Sequence, residues 1–106
     1  MATTRARNPM EIVTDSSAAT AEAFQALRKA VNEAGPLPQS TRELIVSSNF
    51  ATLGVQGAFM THAKRALDGG ATIEELRHAV LLTLGANAPF PRVAAALGWV
   101  DELAGK

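Results

Sequence analysis

The sequence predicts an all-α protein, folded as a single-domain bundle of about five to six helices. Apolar residues recur at helical spacing, and no segment alternates between apolar and polar residues with a period of two. Glycine, proline and capping residues separate the apolar segments at short intervals, as they do in helical bundles. The chain has 106 residues, which is enough for one compact domain.

The chain is expected to begin with a tail that precedes the helical domain. Residues 1–16 are polar and mixed in character, which predicts a flexible or partner-docked segment. Residues 17–106 form the predicted domain, and its first helix covers residues 17–34. Gly35 and Pro36 end that helix. Its apolar face consists of Ala23, Phe24, Leu27, Ala30 and Val31.

Two capping boxes predict where two further helices begin. Ser40 with Glu43, and Thr72 with Glu75, each place a glutamate three residues after a hydroxyl residue. In such a pair each side chain can accept a hydrogen bond from the other residue's backbone N–H group. The helix that follows Thr72 is expected over residues 73–86.

Glycines and prolines bound the remaining helices. Gly54 is expected to end or bend the helix that follows Ser40. A further helix is predicted over residues 55–68, just before the glycine pair at 69–70. Pro91 then suits the first turn of a last helix, because proline is tolerated where a helix begins.

Composition excludes several classes of function. Ten basic and ten acidic residues cancel, so the basic excess of a nucleic-acid-binding protein is missing. The absence of cysteine excludes disulfides, thiolate catalysis and zinc–cysteine sites. No apolar run approaches the roughly 18 residues that a membrane-spanning helix needs, and no secretory signal follows the N-terminus. We therefore expect a cytoplasmic protein with no membrane partner.

Residues 36–103 resemble the carboxymuconolactone decarboxylase family, which also contains the alkylhydroperoxidase D-like proteins. The resemblance rests on an R-E-L opening, a histidine nineteen residues after that glutamate, the motif GAT-x-EE, and an apolar helix that ends before a proline break. It implies an alkylhydroperoxidase D-like fold built for oligomerisation. It also implies a homo-oligomer, either a trimer or a hexamer arranged as a trimer of dimers, with pockets near the subunit interfaces.

The resemblance assigns the family's functional residues position by position. The functional glutamate corresponds to Glu43 and the functional histidine to His62, while the two cysteines of the redox branch correspond to Val55 and Ala58. Valine and alanine supply no thiolate, so a cysteine-dependent peroxidase is excluded. The decarboxylase branch also lacks these cysteines. It releases carbon dioxide from an unsaturated lactone without a metal or an organic cofactor.

Both candidate catalytic residues also have structural interpretations. His62 shares an apolar helical face with Val55, Ala58 and Phe59, where an imidazole can pack in the core and bond to a backbone carbonyl. Glu43 can complete the first capping box. If the two side chains meet instead, the glutamate can orient the imidazole as a base.

Further residues are candidates for binding the substrate. Apolar side chains near His62 and at the proline break can line a pocket, and an arginine can hold a carboxylate through two parallel hydrogen bonds. The apolar candidates are Val55, Ala58, Phe59 and Phe90. The arginine candidates are Arg65 and Arg92, with Arg42 as a third.

Two hypotheses about function follow. In the first, the protein is a cofactor-free decarboxylase, or a related lyase or isomerase, that acts on a small unsaturated lactone or keto acid through proton transfer by Glu43 and His62. In the second, it is a catalytically degenerate family member that serves as a helical oligomeric or small-molecule-binding protein. Both predict self-association and a small carboxylate or lactone as ligand, without nucleic acid or metal.

Overall fold

The structure is a computed structural model that describes residues 6–106, and short turns and loops connect its helices. The described chain contains six α-helices and no β-strand, which confirms the all-α prediction. In chain order these are α1 (Pro9–Ser16), α2 (Ala18–Asn32), α3 (Gln39–Leu53), α4 (Gln56–Asp68), α5 (Ile73–Leu81) and α6 (Phe90–Leu103).

The chain divides into two compact units, of which the first ends at Pro36 and holds α1 and α2. The α1 helix begins where the Asn8 side chain accepts a hydrogen bond from the N–H of Glu11 at 2.9 Å. This helix occupies part of the segment for which we expected a flexible or docked tail. Residues 1–5 of that segment lie outside the described residues. Partner docking, and a domain boundary at residue 17, stay predictions.

The α2 helix agrees with the amphipathic helix predicted over residues 17–34, although it ends at Asn32. Ser17 caps it by accepting a hydrogen bond from the N–H of Thr20 at 3.1 Å. The three largest apolar side chains of α2 are each about half exposed: Phe24, Leu27 and Val31.

The second unit, Leu37–Lys106, packs α3, α4, α5 and α6 around one hydrophobic core. Small side chains are frequent in this core, so the helix backbones can approach closely without leaving voids. The ring of Phe59 in α4 lies 5.3 Å from the ring of Trp99 in α6, measured between centroids. The core comprises Ala51, Phe59, Ala63, Leu76, Val80, Val93, Ala96 and Val100.

Gly54 makes the turn between α3 and α4, as predicted. Its φ of +74° lies in the left-handed region, where a residue with a Cβ is strained. The guanidinium of Arg92 occupies the space that a Cβ at this position would need. Nη1 of Arg92 donates a hydrogen bond to the carbonyl of Leu53 at 2.8 Å, which ties the end of α3 to the start of α6.

The capping box predicted for Ser40 and Glu43 is wrong. The α3 helix begins two residues earlier than that cap requires, at Gln39, with Pro38 at its N-cap and no side-chain capping hydrogen bond. The Glu43 carboxylate bonds to His62 instead, at 2.6 Å. A short hydrogen bond to a charged group in a buried setting is stronger than one to a backbone N–H that water can also satisfy.

The second predicted capping box is confirmed. The hydroxyl of Thr72 accepts a hydrogen bond from the N–H of Glu75 at 3.0 Å, and the Glu75 carboxylate accepts one from the N–H of Thr72 at 2.9 Å. The helix that follows is shorter than the predicted 73–86, because it ends at Leu81. Beyond the helix end, the carbonyl of Thr83 accepts hydrogen bonds from three N–H groups, those of Ala86, Asn87 and Ala88. These bonds close a turn.

The last helix begins close to where the prolines predict. Pro89 is its N-cap and Pro91 lies within its first turn. At this position the missing N–H of proline costs no helical hydrogen bond. The α5 and α6 helices are joined further along by an ion pair between Arg77 and Asp101, with nitrogen and oxygen 3.0 Å apart.

Two matched substitutions, at Thr72 and at Ser40, should differ in their effect on stability. Thr72→Ala removes a cap that the structure contains, and it should lower the free energy of unfolding by about 1 kcal/mol. Ser40→Ala removes a hydroxyl that caps nothing, and the change should stay within about 0.5 kcal/mol. Urea denaturation followed by circular dichroism measures both values. Equal losses for the two variants would contradict this assignment of the caps.

Candidate active site

Glu43 and His62 meet across the interface of α3 and α4. Oε2 of Glu43 lies 2.6 Å from Nδ1 of His62, the separation of a strong charge-assisted hydrogen bond. Both side chains are largely shielded from water, with exposed fractions of 10% for Glu43 and 16% for His62. The interaction therefore lies within a packed helix pair and is screened far less than a surface ion pair.

The direction of this hydrogen bond fixes the chemistry of the imidazole. An ionised carboxylate has no proton to donate, so with Glu43 in its ionised form Nδ1 of His62 is the donor. In the neutral ring Nε2 then carries no proton and has a free lone pair. Nε2 of His62 and Oε1 of Glu43 make no hydrogen bond to the described residues, and neither is a buried polar atom without a partner. Nε2 of His62 is therefore available to a bound molecule.

Phe50 forms one wall of the site, although the sequence reasoning missed it. Its ring stacks on the imidazole of His62, with centroids 5.4 Å apart and planes inclined by 20°. This stacking holds the ring plane while Glu43 fixes its rotation. A signal was present in the sequence, because Phe50 follows Glu43 by seven residues, or two helical turns, and therefore shares its face.

Ser47 is a second residue of the site that the sequence reasoning did not identify. It lies on α3 between Glu43 and Phe50, its side chain is completely buried, and its hydroxyl oxygen has no hydrogen-bond partner. Its spacing of four residues after Glu43 places it on the same helical face. A buried hydroxyl without a partner is uncommon and calls for a physical explanation.

The three apolar candidates on α4 differ in accessibility. Val55 is the N-cap of α4 and is 44% exposed, while Ala58 is half-buried one turn later. Phe59 is fully buried and packs on Trp99. It therefore belongs to the core and has no surface with which to touch a ligand. Phe90, at the first position of α6, is 71% exposed.

Two of the three candidate arginines donate to backbone carbonyls, and the third is exposed. Arg92 donates to the carbonyl of Leu53, and Arg42 donates to the carbonyl of Leu37 at 2.7 Å. Arg65 is exposed, and its guanidinium makes no hydrogen bond or ion pair to any described residue. None of the three is hydrogen-bonded to the Glu43 carboxylate in the part of the chain that the structure describes.

The described residues hold neither a cluster of metal ligands nor a membrane-spanning helix. Within residues 6–106, no three side chains of histidine, aspartate or glutamate come together in a way that could hold a metal ion. Over the same range, no helix combines the length and the apolar character needed to cross a membrane.

Comparison with known proteins identifies the family. A model of the carboxymuconolactone decarboxylase family matches residues 18–102, well over half of the 106-residue chain. This match extends further towards the N-terminus than the resemblance seen over residues 36–103, and it takes in both Glu43 and His62. Searches of curated proteins and of solved structures each found no significant match. The chain therefore belongs to the carboxymuconolactone decarboxylase family.

Proposed function

We propose that the protein is a cofactor-free decarboxylase, or a related lyase or isomerase, that acts on a small unsaturated lactone or keto acid. In this proposal Glu43 and His62 transfer the proton. The observation that carries it is the 2.6 Å hydrogen bond between Oε2 of Glu43 and Nδ1 of His62, which leaves Nε2 of the ring unpaired. Membership of the carboxymuconolactone decarboxylase family supports the class of reaction but not a particular substrate.

The pair has the arrangement that general acid–base catalysis requires. A base needs a lone pair directed at the substrate and a second group that holds the ring in one tautomer. Glu43 performs the second task, since its carboxylate accepts the Nδ1 proton. When Nε2 takes up a proton, the adjacent carboxylate stabilises the imidazolium that forms.

A decarboxylation by this pair begins with the loss of carbon dioxide. The bond between the substrate carboxylate and its neighbouring carbon breaks, and carbon dioxide leaves. The electron pair passes into the conjugated carbonyl group and forms an enolate. Nε2 of His62, which has taken up a proton from solvent, donates that proton to carbon, and the ring returns to its neutral form. An isomerisation uses the same atom, because Nε2 removes a proton beside the carbonyl and returns it to another carbon.

Arg65 is the arginine best placed to hold a substrate carboxylate. It follows His62 by three residues, so the two side chains are neighbours on the surface of α4. Its guanidinium is exposed and unpaired within the described chain, so both of its parallel N–H groups can bind a carboxylate. Arg92 already donates one N–H group to the carbonyl of Leu53, which leaves its remaining donors for a ligand.

Apolar side chains near the α3–α4 turn support self-association as part of the same proposal. Leu53, Val55 and Phe90 are 63%, 44% and 71% exposed. The hydrogen bond from Arg92 to Leu53 links the start of α6 to this turn, so the three side chains lie at one end of the second unit. We therefore propose a homo-oligomer, a trimer or a hexamer built as a trimer of dimers, in which a second copy covers this end.

Peroxidase activity of the redox branch is excluded by composition. The chain contains no cysteine, and the positions of the two thiols hold Val55 and Ala58. No residue of this chain can therefore form the thiolate and the resolving thiol that reduce a peroxide. The family name alone does not carry that activity to this member.

Substitution of the pair tests the enzymatic proposal. His62→Gln and Glu43→Gln should each lower kcat by about a hundredfold or more, the scale of general acid–base catalysis. The assay follows the ultraviolet absorbance of 4-carboxymuconolactone, and then of a panel of unsaturated lactones and keto acids. His78→Gln is the matched control, because His78 is exposed on α5 and should be replaceable without loss.

Two outcomes would contradict the enzymatic proposal. The first is full turnover by the His62→Gln variant. The second is no turnover by the wild type at high enzyme concentration on the whole panel, which favours the degenerate, small-molecule-binding alternative. A thermal-shift screen with the same compounds then reports whether a ligand stabilises the protein in a way that depends on His62.

Sedimentation velocity tests self-association. The wild type should sediment as a trimer or hexamer at micromolar concentration. Phe90→Ser should shift the population towards smaller species, because burial of a large apolar side chain drives such interfaces. Leu82→Ser is the control, since Leu82 is 62% exposed at the end of α5. A wild-type protein that is monomeric at this concentration would contradict the assembly.

A further inference from the structure

The buried hydroxyl of Ser47 is the feature of the site that neither the fold nor the Glu43–His62 hydrogen bond explains. The Ser47 side chain has no exposed surface, and its oxygen has no hydrogen-bond partner. Leaving a buried hydroxyl unpaired destabilises a fold, because the group loses its hydrogen bonds to water and gains none in return. An alanine at this position would fill nearly the same space without that cost.

Two neighbouring hydroxyls of α3 behave differently. Ser48 donates to the carbonyl of Ile45 at 2.8 Å, and Thr52 donates to the carbonyl of Ser48 at 3.2 Å. These hydroxyls bond back to a carbonyl three or four residues earlier, as serine and threonine in helices commonly do. Ser47 has the carbonyl of Glu43 at the same spacing and does not use it. Its hydroxyl is therefore directed away from the α3 backbone.

The position of Ser47 places it on the same face of α3 as Glu43. Glu43 precedes Ser47 by four residues and Phe50 follows it by three, so all three side chains share one face of α3. Glu43 and Phe50 both contact His62 of α4, at 2.6 Å through Oε2 and at 5.4 Å between ring centroids. Ser47 therefore lies, along α3, between two residues that contact the imidazole.

Helix geometry directs Ser47 towards Glu43. Side chains in a helix lean towards its N-terminus, so Ser47 leans over the turn that carries Glu43. Oε1 of Glu43 has no hydrogen-bond partner among the described residues, and neither does the Ser47 hydroxyl. A donor and an acceptor that both lack partners thus occupy successive turns of one buried helix face.

We propose that Ser47 is a positioning residue, whose hydroxyl donates to Oε1 of Glu43 and holds the carboxylate against His62. The two groups make no hydrogen bond in this structure, and rotation about the Cα–Cβ bond of Ser47 redirects the hydroxyl without moving the backbone. A carboxylate held at both oxygens cannot turn away from the imidazole. Nδ1 of His62 then stays the donor and Nε2 stays the base. The inference rests on the proposed proton transfer.

Ser47→Ala tests this role without a substrate. The measurement is the exchange of the His62 Nδ1 proton with water, observed by NMR in protein labelled with nitrogen-15. Loss of the serine hydrogen bond should free the carboxylate more often and speed this exchange about tenfold, which corresponds to about 1.4 kcal/mol. Ser48→Ala is the matched control and should leave the exchange unchanged, because that hydroxyl bonds to a backbone carbonyl.

A second substitution distinguishes a positioning role of Ser47 from a role in packing alone. In a Glu43→Gln background, Ser47→Ala should no longer alter the signals of His62. Unchanged Nδ1 exchange in a folded Ser47→Ala variant overturns the proposal, as does an equal effect of Ser48→Ala. If Ser47→Ala does not fold, Ser47→Cys keeps the shape with a weaker donor and should give a smaller increase. Because no turnover is measured, failure here is distinguishable from failure of the proposed reaction.

Discussion

The hydrogen bond between Glu43 and His62 is the constraint on which the candidate site depends. A carboxylate on a side chain that is only 10% exposed is costly to ionise unless a partner compensates for its lost hydration. His62 supplies that partner at 2.6 Å, and Glu43 in turn fixes the tautomer of the ring. Each of the two side chains thus makes burial of the other tolerable. Together they leave one ring nitrogen, Nε2 of His62, unpaired.

The rest of the second unit brings these two side chains together. Gly54 reverses the chain in the left-handed conformation, so that α3 and α4 pack along their lengths. Small residues such as Ala51 and Ala63 let the two backbones approach, and Phe59 anchors α4 to α6 through Trp99. A buried site with short contacts needs this close packing, because long intervening side chains would separate the carboxylate from the imidazole.

Interactions between residues close in sequence made most of the fold predictable. The features that depend on long-range contacts could not be predicted from the sequence. The Thr72–Glu75 cap and the Gly54 turn follow from residues close in sequence. Ser40 with Glu43 has the same spacing as Thr72 with Glu75, yet Glu43 bonds nineteen residues away, which spacing alone cannot reveal. The family resemblance supplied Glu43 and His62 but not their neighbours on α3. Early termination of α5 was missed because it depends on the turn around Thr83.

The tautomer of His62 tests the central claim most directly. Long-range proton–nitrogen correlation NMR at neutral pH, on protein labelled with nitrogen-15, distinguishes the protonated ring nitrogen from the unprotonated one. Donation to the Glu43 carboxylate predicts a protonated Nδ1 and an unprotonated Nε2. The Glu43→Gln variant should lose this preference. A neutral ring protonated at Nε2 in the wild type would contradict the account, because the free nitrogen could then no longer act as a base.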